Sequence, residues 1–469
     1  PPLPTYLIAF AVGPLDVVEW EPVPPNEIRG WPLPLRGVAA AGKGGQLEFA
    51  LENTARLVHA LERYFDYEMP YPKLDIIAVP DFAAGAMENV GAITYREQLL
   101  LLDESDSVGR KRAYASVHGH ELAHQWFGNL VTPKWWDDIW LNESFATWMA
   151  AKAADEAFPD LGFEDQMLGR AIGVMNADAL ASARQVREPV ESNHDIANAF
   201  DGITYAKGGA VLSMFEAWVG EEAFREGVRL HMQRFAHDVA DYEDFLTSLA
   251  EGAGREDLIE AFSSFLFQPG VPLIAAELRC AGDSPTLGVT QSRYLPLGSD
   301  ASRDQQWTLP LCVRYGNDDE SGRHCALIDQ SVADIELPAA SCPDWVMPNA
   351  DGKGYYRFAL DEAGWASLVA NIDQLSDAEA RMMLGSVSAA WRSGDMSTEA
   401  LLEVGRELAQ AEDREVATAP IGDLNTMYAR LAGTEPARAG IAKMLRDMYV
   451  ERMEALGLAA RGDDSTDDS

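Results

Sequence analysis

The chain has 469 residues, and 37 lysines and arginines against 75 aspartates and glutamates give it a formal charge of −38. So acidic a surface disfavours nucleic acid and anionic membranes as partners, and it favours cationic ligands, amines among them. No apolar run reaches the roughly eighteen residues a membrane span needs, and the length calls for several domains with ample core.

In chain order, Pro1-Pro2-Leu3-Pro4 running into Thr5 to Gly13 reads as a linker entering a strand. It lacks the basic start and cleavage site of a signal peptide. Residues 1–20 are therefore expected to be the remnant of a preceding β-domain, with the chain beginning mid-protein. Leu47, Leu51, Val58, Leu61 and Phe65 recur at helical spacing and predict a long amphipathic helix. Lys73 to Val79, closed by Pro80, reads as a buried strand. Gly85-Ala86-Met87-Glu88-Asn89 follows, then a further strand through Ile93, Thr94 and Tyr95.

Helical patterns dominate residues 109–269, and the first of them carries His120-Glu121-Leu122-Ala123-His124. Two histidines four apart leave one face of a helix and can meet one small cation. Ala113, Val117, Leu122, Trp126 and Phe127 supply the apolar positions expected of this helix, and Asn129 with Pro133 is expected to end it. A second amphipathic helix, opening near Asn142 with Phe145, Trp148 and Met149, carries Glu143 as third ligand. Two neutral imidazoles and a carboxylate leave a zinc ion one open position for water, and Glu121 stands beside them to take its proton.

The texture changes at Gln268-Pro269-Gly270-Val271-Pro272. Short alternating runs such as Trp307 to Val313 then predict a small β-sandwich as far as residue 360. All four cysteines, Cys280, Cys312, Cys325 and Cys342, lie there. They permit two disulfides with three pairings open, or buried free thiols, and no Cys-x-x-Cys spacing marks a second metal. The compartment, cytoplasmic or periplasmic and secreted, stays open. Helical patterns return in Trp365 to Leu375, Ala378 to Trp391 and Ser397 to Ala409, and the acidic tail Asp463 to Ser469 reads as disordered. The expected class is multidomain α+β: residues 1–20, a mostly helical domain with a small mixed sheet at 21–270, a β-sandwich at 271–360, and an α-helical domain at 361–469.

Taken together, Gly85 to Asn89, His120-Glu121-x-x-His124 with Glu143 nineteen residues on, and Tyr205-x-Lys207-Gly208 resemble the gluzincin aminopeptidases of the M1 family. Phe82 to Asn89 is similar in wording to the puromycin-sensitive branch. The resemblance implies a thermolysin-like catalytic domain and one zinc ion per chain, bound by His120, His124 and Glu143. By the same likeness Glu121 is the general base and Tyr205 the donor to the oxyanion. It also implies that Glu88 binds the substrate's free α-amino group, that Gly85, Ala86, Met87 and Asn89 form the loop that pairs with the substrate backbone, and that the small Ala84 lines a broad pocket.

The substrates implied are peptides with a free N-terminus; no oligomeric state follows. Relatives usually carry an aliphatic residue and alanine at His118 and Gly119, glycine at Ser144, and often an acid at Ala150. His118 points away from the metal face, so it reads as a solvated or packed histidine. Three other readings share the zinc site: an endopeptidase, which would not need the Gly85–Asn89 loop; an epoxide hydrolase, which would need a tunnel; and a scaffold without catalysis, for which absence of zinc would speak.

Overall fold

A computed structural model of the protein describes residues 3–280, 284–317 and 320–457; the acidic tail from Asp463 lies outside them. The chain forms two compact units, one of residues up to 167 together with 185–267, the other of 168–184 together with 268 onward.

The first unit opens on a five-stranded sheet ordered β1-β2-β3-β5-β4, where β1 is Leu15–Glu19, β2 Leu35–Ala40, β3 Leu74–Val79, β4 Ala86–Met87 and β5 Ala92–Arg96. The strand expected over Thr5 to Gly13 is absent. Thr5–Leu7 is a single 3-10 turn held by Pro4, and the extended pairing begins only at Leu15, opposite Ala40. Leu7 is buried and its carbonyl accepts from the Val90 amide at 3.0 Å, so this segment is tied to the end of the Gly85–Asn89 loop. The β3 strand, between parallel neighbours, is buried on both faces, and its one charged residue, Asp75, is paired with Arg36 and Lys73. The two-residue β4 lies at the margin of the sheet and pairs only with β5 among the described residues.

Helix α1, Glu48–Phe65, buries Leu51, Leu57, Val58, Leu61 and Phe65 on one face and ends at Asp66, whose φ of 49° is left-handed. After the short α2, Glu97–Leu100, come α3, Val108–Ala123, and α4, Ile139–Ala157. The Ser107 hydroxyl caps α3 by accepting from the Arg110 amide. Between α3 and α4 runs β6, Val131–Pro133, which pairs in parallel with β7, Asp238–Ala240. Helix α5, Phe163–Asp178, starts in the first unit, and α6 to α9, Gly208–Val219, Glu221–Phe235, Tyr242–Ala253 and Asp257–Leu266, complete it. Asp241 and Asp244 form a reciprocal cap at the start of α8.

An aromatic cluster sits behind α3 and α4. Phe65 stacks on Trp126, Phe127 on Phe145, and His231 lies against Phe127, Phe235 and Phe245. Burial, reinforced by Arg234 and only partly opposed by Asp244, pushes the His231 imidazole down to about 4. Between pH 4 and 6.5 the unfolded chain therefore binds a proton that the folded chain refuses. Stability should fall as pH drops through that window, by up to roughly 3 kcal/mol. Thermal midpoints at pH 7 and pH 5 should separate less in His231→Leu than in the parent.

In the second unit β8, Pro272–Arg279, β9, Thr286–Arg293, β12, Val332–Glu336, and β14, Arg357–Leu360, form a sheet ordered β12-β9-β8-β14. Strands β10, Leu309–Gly316, β11, Ser321–Ile328, and β13, Trp345–Met347, form a second one, ordered β11-β10-β13. The cysteine pairing left open by the sequence resolves into two disulfides. Cys312 bridges Cys325 directly opposite it on β10 and β11, and Cys280 bridges Cys342; no described cysteine is free. Helices α10, Glu362–Ala370, α11, Asp377–Ser393, and α12, Thr398–Leu408, follow. Ser376 and Glu379 cap α11 reciprocally, and Glu379 also pairs with Arg314 of β10. Among the described residues no helix is long and apolar enough to cross a membrane.

Candidate metal centre

The face that α3 buries is not the one its apolar residues mark. Tyr114, Ala115, His118, Gly119 and Leu122 are buried, whereas Ala113 is exposed and Val117 only partly covered. The helix also stops earlier than expected, at Ala123. Its last carbonyls, of Leu122 and Ala123, accept from the amides of Gln125, Trp126 and Phe127, and a wide turn follows in which the amides of Asn129, Leu130 and Val131 bond the carbonyls of His124, Gln125 and Trp126. Trp126 and Phe127 are core residues of this turn rather than of the helix, because the aromatic cluster draws them in. Helix α4 likewise opens at Ile139, three residues before Asn142, so Glu143 stands in its second turn.

His120 in the last turn of α3 and His124 just beyond it still face one point. Their Nε2 atoms are 3.0 Å apart, and Glu143 Oε2 lies 3.2 Å from the first and 3.5 Å from the second. These are the only three such side chains that converge among the described residues. The outer nitrogen of His124 lies 3.0 Å from the Phe127 carbonyl, which can only accept, so Nδ1 carries a proton and Nε2 faces the shared point, where a bound cation would take its lone pair. His120 Nδ1 lies 3.4 Å from the Thr147 hydroxyl, and its Nε2 faces the same point. A tetrahedral cation with bonds of about 2.0–2.1 Å separates its ligand atoms by about 3.3–3.4 Å, so the spacing and the donor set both fit zinc with one position left open.

The site is crowded with carboxylates. Glu88, Glu121 and Glu143 are all buried. Burial pushes Glu121 well above the usual carboxylate range and raises Glu88 too, with Glu143 adding to both. Burial also pushes Glu143 up, but His124 and His120 outweigh it and hold Glu143 below the ordinary value. One oxygen of Glu121, Oε2, is buried without any hydrogen-bond partner. An orphaned carboxylate oxygen is costly unless a ligand brings it a proton donor. Tyr205 stacks over His120 with ring centres 5.9 Å apart, and burial followed by the charge of Glu143 keeps its hydroxyl protonated.

Tyr205 lies in a π-helical turn, Ile203–Lys207, just ahead of α6; such turns recur at functional sites. Ser144, beside Glu143, fixes this turn by donating its hydroxyl to the Thr204 carbonyl at 2.5 Å. The pair is matched: a Cβ on Gly208 would come within 1.9 Å of the Ser144 Oγ. Gly208→Ala should therefore cost about 1–3 kcal/mol of overpacking, and Ser144→Gly in the same chain should recover most of it. A denaturation series over the two single variants and the double variant measures that coupling.

The remaining departures also find their place. His118 is wholly buried, and it bonds the Tyr95 hydroxyl at 2.6 Å and the Thr54 hydroxyl at 2.9 Å. Because the Thr54 hydroxyl donates to the Ala50 carbonyl, the His118 Nε2 must donate to it, and Nδ1 accepts from Tyr95. A Cβ on Gly119 would meet the Cα of Ala150 at 3.5 Å, an ordinary contact, so two small residues face each other where α3 crosses α4. Position 150 carries no acid, and the hydroxyl of Thr147 lies 3.4 Å from His120 Nδ1.

Gly85, Ala86, Met87, Glu88 and Asn89 run along the sheet margin. The Gly85 carbonyl accepts from the Arg96 amide, Asn89 Oδ1 accepts from the Thr94 hydroxyl, and the exposed Ala84 precedes them. Three residues that no motif marked belong to this environment. The Arg96 guanidinium donates to the carbonyls of Phe82, Ala83 and Ala84, and the Gln125 and Asn129 amides reach the loop from the turn after His124. Their proximity to His124 in sequence was the one available signal, and it is weak, since amides are not the donors a zinc motif predicts.

The peptidase family M1 domain matches residues 49–265, and the ERAP1-like C-terminal domain matches residues 345–469. Aminopeptidase M1 of Arabidopsis thaliana is 35% identical over 380 residues, which cover 78% of this chain and 42% of that protein. Puromycin-sensitive aminopeptidase of Caenorhabditis elegans is 30% identical over 425 residues, 88% of this chain and 43% of the relative. Probable aminopeptidase 1 of Sulfurisphaera tokodaii is 39% identical over 358 residues, 76% and 43%. The chain spans less than half the length of these relatives.

Proposed function

Because the chain belongs to peptidase family M1, we propose that it is a zinc-dependent aminopeptidase that removes single residues from the free N-terminus of peptides. The observation that carries this reading is Glu88. It is a buried carboxylate close enough to Glu143 and His124 to feel their charges, and it stands at the end of a strand whose outer edge can accept an added chain.

One zinc ion held by His120, His124 and Glu143 would supply a Lewis acid that eases deprotonation of a water and polarises the scissile carbonyl. The other roles fall to side chains. Glu88 receives the substrate's α-ammonium group through charge-assisted hydrogen bonds, which restore the ionised carboxylate that burial disfavours. Ala86 and Met87 offer backbone groups to the first residue of the peptide. Glu121 accepts the proton of the attacking water at its partnerless Oε2 and passes it to the leaving amine. Tyr205 donates its hydroxyl proton in a hydrogen bond to the carbonyl oxygen as negative charge gathers there.

The test compares an aminoacyl fluorophore with its N-acetylated form. The chain should release the free-amine substrate and spare the acetylated one, and Glu88→Ala should lose activity mainly on the former. An unchanged preference in Glu88→Ala would count against the reading.

A further inference from the structure

An exopeptidase must set the distance between the group that holds the amine and the group that cuts. Glu88 belongs to a loop and Glu121 to a helix, so something must join them. Two buried amide side chains do so. The Asn129 Nδ2 donates to the Glu88 carbonyl at 2.7 Å, and the Gln125 Nε2 donates to the same oxygen at 3.1 Å. Both residues are almost wholly buried. The Gln125 amide makes two further bonds: Nε2 donates to the Glu121 carbonyl at 3.3 Å, and Oε1 accepts from the Gly91 amide at 3.1 Å.

One side chain therefore runs from the backbone of Glu121 to the backbone of Glu88, and it also closes the turn that follows Glu88. Asn129 is itself fixed to the metal side, since its own amide bonds the His124 carbonyl at 3.0 Å. Gly91 lets the turn close: its φ is 56°, and a Cβ there would meet the Lys73 carbonyl at 2.8 Å. On the sheet side the loop is held by the two-residue strand Ala86–Met87, by the Arg96 amide on the Gly85 carbonyl, and by Asn89, whose Oδ1 accepts from the Thr94 hydroxyl and whose carbonyl accepts from the Ala92 amide. Further ties to the segment come from the Arg96 guanidinium ahead of Gly85 and from Leu7 at Val90.

We propose that Gln125 and Asn129 are positioning residues that act as a ruler, fixing the Glu88 carboxylate relative to His120, His124 and Glu121 so that only a peptide bond one residue from a free amine is aligned for cleavage. This rests on the aminopeptidase reading. A carbonyl with two amide donors from one turn cannot drift without leaving buried donors unpaired, so the loop holds one register. Neither side chain touches substrate; each acts through the backbone of residue 88.

The experiment uses the full chain loaded with zinc and calorimetric binding of leucine hydroxamate and N-acetyl-leucine hydroxamate. The first addresses both the metal and Glu88, the second the metal alone. The variants are Asn129→Asp and Gln125→Met, which keep side-chain size and remove the donor. Each should lose about tenfold of the preference for the free amine, the order expected for one buried hydrogen bond. Affinity for the acetylated compound and zinc content should stay unchanged. Retained preference in both variants overturns the ruler. Equal weakening of both compounds, loss of zinc, or unfolding in both variants also overturns it, since the amides would then serve the fold or the metal; if one variant unfolds, the other decides. A parent chain that binds both compounds alike fails the aminopeptidase reading itself, and the ruler with it.

Discussion

Replacing Glu121 with glutamine should lower hydrolysis of an aminoacyl fluorophore by about 10²- to 10⁴-fold, the usual contribution of a general base, while zinc content stays at one per chain. The two halves of this result separate base from ligand. His120, His124 and Glu143 converge on one point with their donor atoms 3.0–3.5 Å apart, and Glu121 is not among them. Its Oε2 is buried without a partner, and burial makes its carboxylate a stronger base than an exposed one. Glutamine has the same shape, still fills the buried space, and cannot take a proton. Equal rates in parent and variant would remove Glu121 from the chemistry. A variant that loses its zinc would make it part of the metal's support instead.

Spacing made the metal cluster legible in the sequence, because two histidines four apart and a third ligand nineteen residues on leave little freedom once both segments are helical. The elements themselves were also legible: α1, β3 and β5 follow from the pattern of apolar residues. What periodicity could not give was the face of α3. His118 and Gly119 carry no hydrophobic signal, yet they lie in the buried contact with α1, β5 and α4, one because its two nitrogens are both satisfied by hydroxyls, the other because it packs on Ala150. The end of α3 was hidden for a related reason. Trp126 and Phe127 continue the apolar pattern, but the chain has already turned and they are buried by tertiary contact. Hydrogen bonds between distant segments were invisible as well. Ser144 was marked only as a departure, and nothing in its neighbours announced that it reaches Thr204; Gln125 and Asn129 carry ordinary amides whose partner lies 41 and fewer residues away.

Tyr205→Phe should be the second large loss. In the function proposed, the hydroxyl is the one donor that meets the developing charge, and removal of such a donor costs about 10²- to 10³-fold in rate, or roughly 3–4 kcal/mol. The ring itself should stay where it is. It stacks on His120, and the turn that carries it is held by the Ser144 bond to the Thr204 carbonyl, which the substitution leaves alone. The loss should therefore appear in kcat with KM nearly unchanged, because the hydroxyl is worth most when the carbonyl oxygen has become an anion and little while it is still neutral. A rise in KM with kcat preserved would instead mean that the phenol holds the bound substrate. No change in either would mean that the Tyr205 hydroxyl, kept protonated by burial and by Glu143, is aimed at something other than the reacting bond.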